Sequence, residues 1–479
     1  MNDSKYEAVI GLEIHAQIAT QSKMFCTCSS DSFESEPNEN VCPICMGFPG
    51  QLPVINEEAV KKGVKASLAL NCTVPEWSKF DRKNYFYPDL PKGFQISQYD
   101  QPLAETGWIE IDLDGEKKKI RIHRLHLEDD AGKLTHIPNG TLCDYNRSGV
   151  ALMEIVSEPD MRNAKEAGAY ARAMQAILRS VDASNADMEK GMMRFDASVS
   201  IRPKGDEKLY PRAEIKNLNS FRSLESAIAY EINRQIGLWE DGNPQSKEIT
   251  VGWTDAKGKT YFLRDKEGAD DYRYFPEPDL PPINVTADFI DAMKKELPEL
   301  PSEKRERYLS EYGMSEAEAL LVSNDTELAD YFEQVVQASG DAKRSLTFVL
   351  TILLGFLKKN GLEVHESPVS AENLAKLVKL VADGKISLNI AKGEVFEEMF
   401  ETGKDAEAIV KAKGLEKMSD EGELEKICQE VIDENPQSIE DYKSGKEAAF
   451  FFLVGQVMKK TKGQADAKVA TDILKKLVG

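Results

Sequence analysis

From Glu7 to Ile18 the chain reads EAVIGLEIHAQI, in which Ala8, Ile10, Leu12, Ile14, Ala16 and Ile18 alternate with Glu7, Gly11, Glu13, His15 and Gln17. Period-two alternation sends the two sets to opposite faces of a β-strand. One face is therefore apolar and must be covered, while the other carries Glu13 and His15. The pattern recurs. In RIHRLHLEDDAG, His126, Glu128 and Asp130 oppose Leu125 and Leu127; in MRFDASVSIRP, Arg194, Asp196, Ser198 and Ser200 oppose Phe195, Ala197, Val199 and Ile201. In PRAEIKNLNSF, Arg212, Glu214 and Lys216 oppose Ala213 and Ile215. Strands with one buried and one polar face predict a largely antiparallel sheet. The following NSFRSLESAIAYEINRQIGLWEDG predicts a helix entered at Asn219 or Ser220 and ended near Gly242.

After the proline-rich YFPEPDLPPINV (Tyr274 to Val285) the apolar spacing turns helical, with capping signals at Ser315/Glu318 and Asn324/Glu327. From about residue 406 the chain is Lys/Glu-rich and again helical. The expected fold class is α+β: a mixed or antiparallel-sheet domain over 1–293, an all-helical domain over 294–405 and a small helical tail over 406–479. A chain of 479 residues is too long for one ordinary core. Its longest nearly apolar run, Leu346 to Leu357, falls short of the ~20 residues of a bilayer span, and the opening residues carry no export signal. The expectation is a cytoplasmic protein with no membrane partner. A net charge of −21 opposes nonspecific coating of nucleic acid, but leaves room for a local basic patch.

Glu13, His15, Glu128, Asp130, Glu154 and Asp196 project from apparent strands, and carboxylates with little histidine suit a hard cation such as Mg²⁺ serving a nucleotide phosphate. Solvated outer faces are the plainer explanation for any single residue; repetition over several strands favours a site. The stretch from Ser78 to Pro102 packs Lys79, Arg82, Lys83, Tyr85, Tyr87, Lys92 and Tyr99 between prolines and glycine, a composition able to clamp phosphates and stack a base, or simply to form a charged loop. Arg147 and Arg273 sit in similar surroundings. GKT at Gly258 to Thr260 lacks the upstream glycine of a Walker A loop, since Trp253 occupies that position, and DAKGKT is better taken as a hairpin turn.

Cys26, Cys28, Cys42 and Cys45 form a CxC followed by a CxxC. Reduced thiols at this spacing favour a structural Zn²⁺ knuckle over a redox pair or incidental thiols. A closed tetrathiolate site leaves no position for a reacting water. Cys72, Cys143 and Cys428 stand alone and are expected to be small buried hydrophobes.

VIGLEIHAQIATQSKMFC, CPICMGFPGQLPVIN, KFDRKNYFYPDLPKGFQISQYDQPL, HLEDDAGK, DYNRSGVALMEIVSEPDMR, AEIKNLNSF, DDYRYFPEPDL and FLVGQVMKKTKGQA together resemble the GatB family, the B subunits of the heterotrimeric aspartyl/glutamyl-tRNA amidotransferases, in that family's order. The resemblance implies ATP-dependent amidation of misacylated Glu-tRNA(Gln) and/or Asp-tRNA(Asn). In such an enzyme the B component binds the tRNA and phosphorylates the esterified carboxylate, the glutaminase (A) component supplies ammonia from glutamine, and the C component wraps the interface. It further implies Mg²⁺ on His15, Glu128 and Glu154, with Glu13 and Asp196 beside them, and Zn²⁺ on the four cysteines, which some members lack. Lys79, Arg82, Lys83, Tyr85, Arg147, Ser157, Lys216 and Asn217 are the expected substrate- and ATP-binding set. The domains correspond to a cradle, a helical domain and a YqeY-like tail that meets tRNA through Lys446, Lys459, Lys460 and Lys462. The competing expectation is a noncatalytic tRNA-binding adaptor whose metals are purely structural.

Overall fold

The structure is a computed structural model, and it describes residues 5–113, 115–265, 269–416, 421–461 and 464–478. The chain divides into two compact units, 1–305 and 306–479.

In chain order the strands of the first unit begin with β1 (Tyr6–Gln17), β2 (Trp77–Ser78), β3 (Asp81–Asn84), β4 (Phe94–Ser97) and β5 (Ala104–Leu113). Next come β6 (Glu116–Asp129), β7 (Lys133–Ile137), β8 (Gly140–Asp144), β9 (Ala151–Ser157) and β10 (Met193–Pro203). The last are β11 (Ala213–Leu218), β12 (Ile249–Thr254), β13 (Lys259–Asp265), β14 (Phe275–Pro276) and β15 (Ile283–Asn284). An eight-stranded sheet runs in the order β13-β12-β11-β10-β1-β9-β6-β5. Its pairs are antiparallel except β11 with β12, which is parallel because a helix between them carries the chain back across.

Helices α1 (Glu57–Ala69), α2 (Ala164–Ser180) and α3 (Phe221–Glu240), the last of which makes that crossover, contribute to the same apolar core as the sheet. Ile10, Leu12, Ile14, Leu125, Leu127, Phe195 and Ala197, the apolar half of each alternating pattern, are all in it. The helices start where short polar side chains take up orphan amides: Asn56 accepts from Glu58 and Ala59, Asn163 from Glu166, and Ser220 from Ser223. Ser220, and not Asn219, is thus the cap of α3. At the hairpin joining β12 to β13, Gly258 has φ +58°, so GKT belongs to a turn.

A short helix, α4 (Ala287–Lys295), is followed by α5 (Pro301–Glu311). The helical unit contains α6 (Glu316–Ser323), which has the expected Ser315/Glu318 capping box, and α7 (Thr326–Ser339). At α7 the expected cap is corrected: Asn324 closes α6, and Asp325 caps α7 by accepting from Leu328. Among the described residues one apolar cluster is formed by residues between Tyr308 and Leu415 and another by residues between Leu424 and Leu474. No helix among the described residues is long and apolar enough to cross a membrane.

Candidate functional site

Residues opposed across antiparallel strands share a face, so the register of the large sheet assembles its polar face. On one level His126 of β6 opposes Glu154 of β9, and Glu154 opposes His15 of β1, which opposes Arg194 of β10. On the next, Arg124 opposes Val156, Val156 opposes Glu13, and Glu13 opposes Asp196. The His15 Nε2 atom lies 3.4 Å from Glu154 Oε2, 3.5 Å from Glu13 Oε1 and 3.9 Å from Glu128 Oε1. His126 Nε2 lies 3.2 Å from Glu154 Oε2 and 3.4 Å from Glu128 Oε2, while the Ser97 hydroxyl donates to Glu128. At the other edge, Lys216 Nζ is 2.6 Å from Asp196 and the Asn217 amide donates to the same carboxylate.

Burial and crowding set the charges. Burial, then the neighbouring Glu154 carboxylate, raises the Glu13 pKa. Burial opposes charge on His126, but Glu154 and Glu128 outweigh it and push its pKa up to about 9. In return the two imidazoles hold Glu154 well below the usual carboxylate range despite burial. Burial also works against ionised Asp196, and Lys216 overrides it.

His15 Nδ1 and both His126 nitrogens are buried with no hydrogen-bond partner, His126 Nε2 even though it lies within ion-pairing distance of Glu154 and Glu128. Glu13, His15 and Asp196 bring one ligand atom each within 4.8 Å of one another, as do His15, Glu128 and Glu154. Oxygen donors with one imidazole fit a hard divalent cation. A cavity of about 450 Å³ adjoins the cluster, with Glu13, Glu154, Lys83, Arg124 and Lys216 in its wall. Tyr99 and Tyr274, also in the wall, stack with ring centroids 4.3 Å apart.

A second candidate centre lies on the loop after β1. The sulfurs of Cys26, Cys28, Cys42 and Cys45 lie within 4.8 Å of one another. The Cys45 thiol is pulled down to about 4, chiefly by a hydrogen bond from Cys26, aided by the Cys42 amide and the Lys23 charge; the same bond pushes Cys26 up. Lys23 is fully buried, with its ammonium 3.8 Å from Cys45 Sγ and donating to the Asn40 and Tyr145 carbonyls. A thiolate stabilised in this way, beside three further thiols, fits a tetrahedral metal site.

The sequence profile of the GatB/GatE catalytic domain matches residues 8–291, and that of the GatB domain matches residues 330–478. The chain belongs to the GatB family. It is 51% identical over 472 residues to the aspartyl/glutamyl-tRNA(Asn/Gln) amidotransferase B subunit of Thermoanaerobacter pseudethanolicus, covering 98% of this chain and 99% of that protein. The corresponding protein of Persephonella marina is 48% identical, covering 99% of this chain and all of its own length, and that of Moorella thermoacetica is 49% identical, covering 98% and 99%.

In this GatB chain the expected acids Glu13, Glu128, Glu154 and Asp196 converge with His15, and Lys83, Ser157 and Lys216 line the adjoining cavity. The Lys83 ammonium lies over the Tyr272 ring. Tyr85 stands edge-on to Tyr272 and donates to Gln95.

The remaining expected positions stand in different surroundings. Arg82 precedes Lys83 on β3 and therefore points the other way, into a separate cavity of about 170 Å³ beside Cys45, where it pairs with Glu277 at 2.7 Å and stacks on Phe94. Lys79 is held by Asp81 and Asp100, and Arg147 donates to the Ala131 and Gly132 carbonyls. Asp130 is taken up by Arg194 at 2.9 Å and by Gln17. Asn217 contributes its backbone, at φ +58°, and its side chain is exposed. In the tail, Lys446 pairs with Asp441, and Lys460 with Glu430 and Glu434; Lys459 is exposed, and Lys462 lies outside the described residues. Cys72 and Cys428 are buried, whereas Cys143 is only half-buried.

Three polar site residues stand outside the expected set, for two different reasons. His126 and Arg124 precede Glu128 by two and four residues, so the ladder already singled out contains both. Tyr274 reaches the site because β14 pairs with β3, nearly two hundred residues earlier, for which no local pattern exists.

Proposed function

We propose that this chain binds misacylated tRNA and uses ATP to phosphorylate the esterified side-chain carboxylate, converting Glu-tRNA(Gln) and/or Asp-tRNA(Asn) to the amidated form. The observation that carries this reading is the convergence of Glu13, His15, Glu128, Glu154 and Asp196 on the polar sheet face beside a cavity with cationic walls. An adaptor that only holds tRNA has no need of such a cluster.

In the first step a side-chain carboxylate oxygen attacks the terminal phosphorus of ATP, the bond from that phosphorus to the bridging oxygen breaks, and ADP leaves with the electron pair. In the second, ammonia attacks the acyl carbon, the bond from that carbon to the phosphate oxygen breaks, and inorganic phosphate leaves with the electron pair and takes up the proton that nitrogen loses. His15, Glu128 and Glu154, with Glu13 and Asp196 alongside, are the residues that would hold Mg²⁺, which when bound offsets charge on the transferring phosphoryl group. The Lys83 ammonium is positioned to attract phosphate oxygens, and its charged form is favoured by Tyr274, Glu128 and Glu154 against the effect of burial. Lys216 keeps Asp196 ionised. The acyl phosphate is open to hydrolysis by water, so amidation requires that ammonia reach it first.

The relatives' designation as B subunits supports assembly with other subunits; the partners proposed here are a glutaminase (A) component that releases ammonia from glutamine, and a C component. Work on tRNA places the proposed activity with the translation machinery, and the compartment proposed is the cytoplasm. Zn²⁺ on Cys26, Cys28, Cys42 and Cys45 would brace the loop after β1. Residues 1–293 serve as the cradle, 294–405 as the helical domain and 406–479 as the YqeY-like tail that meets tRNA, with the exposed Lys459 among its cations. The test is ATP cleavage by the complex reconstituted with its A and C partners. Glu128→Gln should abolish cleavage dependent on Glu-tRNA while leaving glutamine hydrolysis; persistent cleavage overturns the reading.

A further inference from the structure

The cations around the site differ in whether a carboxylate already holds them. Lys216 pairs with Asp196 and Glu214, Arg194 with Asp130, and Arg82 with Glu277. The side chain of Arg124 forms no hydrogen bond or ion pair with any described residue, and its Nε is buried without a partner. It lines the cavity together with His126 and Glu154, and its charge acts on the Tyr274 hydroxyl.

Strand β6 is bent to put it there. Ile120 and Ile122 belong to the apolar core, and so do Leu125 and Leu127. Even-numbered residues face the core before His123, and odd-numbered ones face it afterwards. The pairing with β9 shows why: Ile122 opposes Ser157 and Arg124 opposes Val156, leaving His123 as the extra residue of a bulge. His123 turns outward and pairs with Glu158. In a regular strand Arg124 would share the core face with Ile122. The bulge turns it over, onto the same face as His126 and Glu128. A donor buried without a partner is unfavourable in the protein alone, and a chain that bends an interior strand to create one is built to receive an anion there.

We propose that Arg124 grips the terminal phosphate of ATP and stays on it through transfer, which makes it a catalytic residue of the phosphorylation step; this rests on the function proposed above. A guanidinium presents a planar fork matched to two phosphate oxygens and remains charged at any pH the protein survives. Arg124 shares its level of the sheet with Glu13 and Asp196, across Val156, so the fork and the metal-holding acids would approach one phosphoryl group from two sides.

The experiment uses the reconstituted complex carrying Arg124→Met, Arg124→Lys or Arg124→Ala, with Glu128→Gln in parallel. Arg124→Met should lower kcat for Glu-tRNA-dependent ATP cleavage on the order of 10²- to 10³-fold, with KM for Glu-tRNA and the glutaminase rate unchanged. Arg124→Lys should recover only part of the loss, and guanidinium ion added to Arg124→Ala should restore some of the rate. Normal cleavage in Arg124→Met overturns the proposal, as does a rise confined to KM for Glu-tRNA, a failure of guanidinium to rescue, or a loss matched by collapse of the thermal transition. If Glu128→Gln also cleaves ATP normally, the proposed function falls as well; if it is inactive while Arg124→Met is active, only the role of Arg124 does.

Discussion

Replacing Arg82 by Met removes the guanidinium that neutralises Glu277, a side chain only 1% exposed. The pair is bidentate, with contacts of 2.7 and 3.0 Å, and it ties β3 to the segment that carries Tyr274 into the site. Breaking a buried pair from one side costs about 3–5 kcal/mol, because the remaining charge keeps its desolvation penalty. Arg82 is itself 23% exposed, so water can partly replace it; the lower end, about 3 kcal/mol, applies. For a unit of this size that corresponds to a melting temperature lower by roughly 5 °C. Calorimetry of Arg82→Met should show this shift, and adding Glu277→Leu should recover most of it by removing the stranded charge. A direct role for Arg82 on phosphate makes the opposite forecast: an unchanged melting temperature with KM for ATP raised several-fold. That result would refute the assignment of Arg82 as a brace.

Chelation of metal from the purified chain, followed by elemental analysis and a thermal scan, should release one Zn²⁺ and lower the melting temperature, with activity lost only at temperatures where the stripped protein unfolds; Cys45→Ser should behave likewise. Lys459→Ala should weaken tRNA binding in a filter assay and reduce the slope of log affinity against log salt by about 0.7–0.9, the share of one phosphate contact; Lys460→Ala, already paired with two glutamates, should do less. Asp160 is held below its ordinary pKa by hydrogen bonding from Arg121. A depressed carboxylate contributes stability that is present above its unfolded value, near 4, and lost as pH falls toward its folded one. Asp160→Asn should therefore be less stable by at most about 1 kcal/mol at neutral pH, since Arg121 is largely exposed, and urea titrations should show the gap closing below pH about 4.

The elements that could be read from sequence were those whose signal is local. Alternation in EAVIGLEIHAQI gave β1 and the direction of Glu13 and His15, and the same rule applied to β3 would have separated Lys83 from Arg82, since neighbours on a strand face opposite ways. Asn324 and Asp325 are both good caps, and only the position of the first helical hydrogen bond distinguishes them. The uptake of Arg82 by Glu277, of Lys79 by Asp100 and of Asp130 by Arg194 depends on contacts between distant segments, so basic residues that look available along the sequence are already neutralised in the fold. The bulge at His123 shows in the sequence only as a break in the apolar alternation between Ile122 and Leu125, visible once both ends of β6 are taken as a single strand.

The central claim, that this chain's acidic sheet face phosphorylates the esterified carboxylate, is tested most directly by isotope transfer. Glu-tRNA(Gln) bearing ¹⁸O in both side-chain carboxylate oxygens is supplied to the complex with ATP and glutamine, and the released phosphate is analysed by mass spectrometry. An acyl phosphate passes one carboxylate oxygen to phosphate in each turnover, so one ¹⁸O per phosphate is predicted for the wild type and none above background for Glu128→Gln. Unlabelled phosphate formed by the wild type at the rate of amidation would contradict the account.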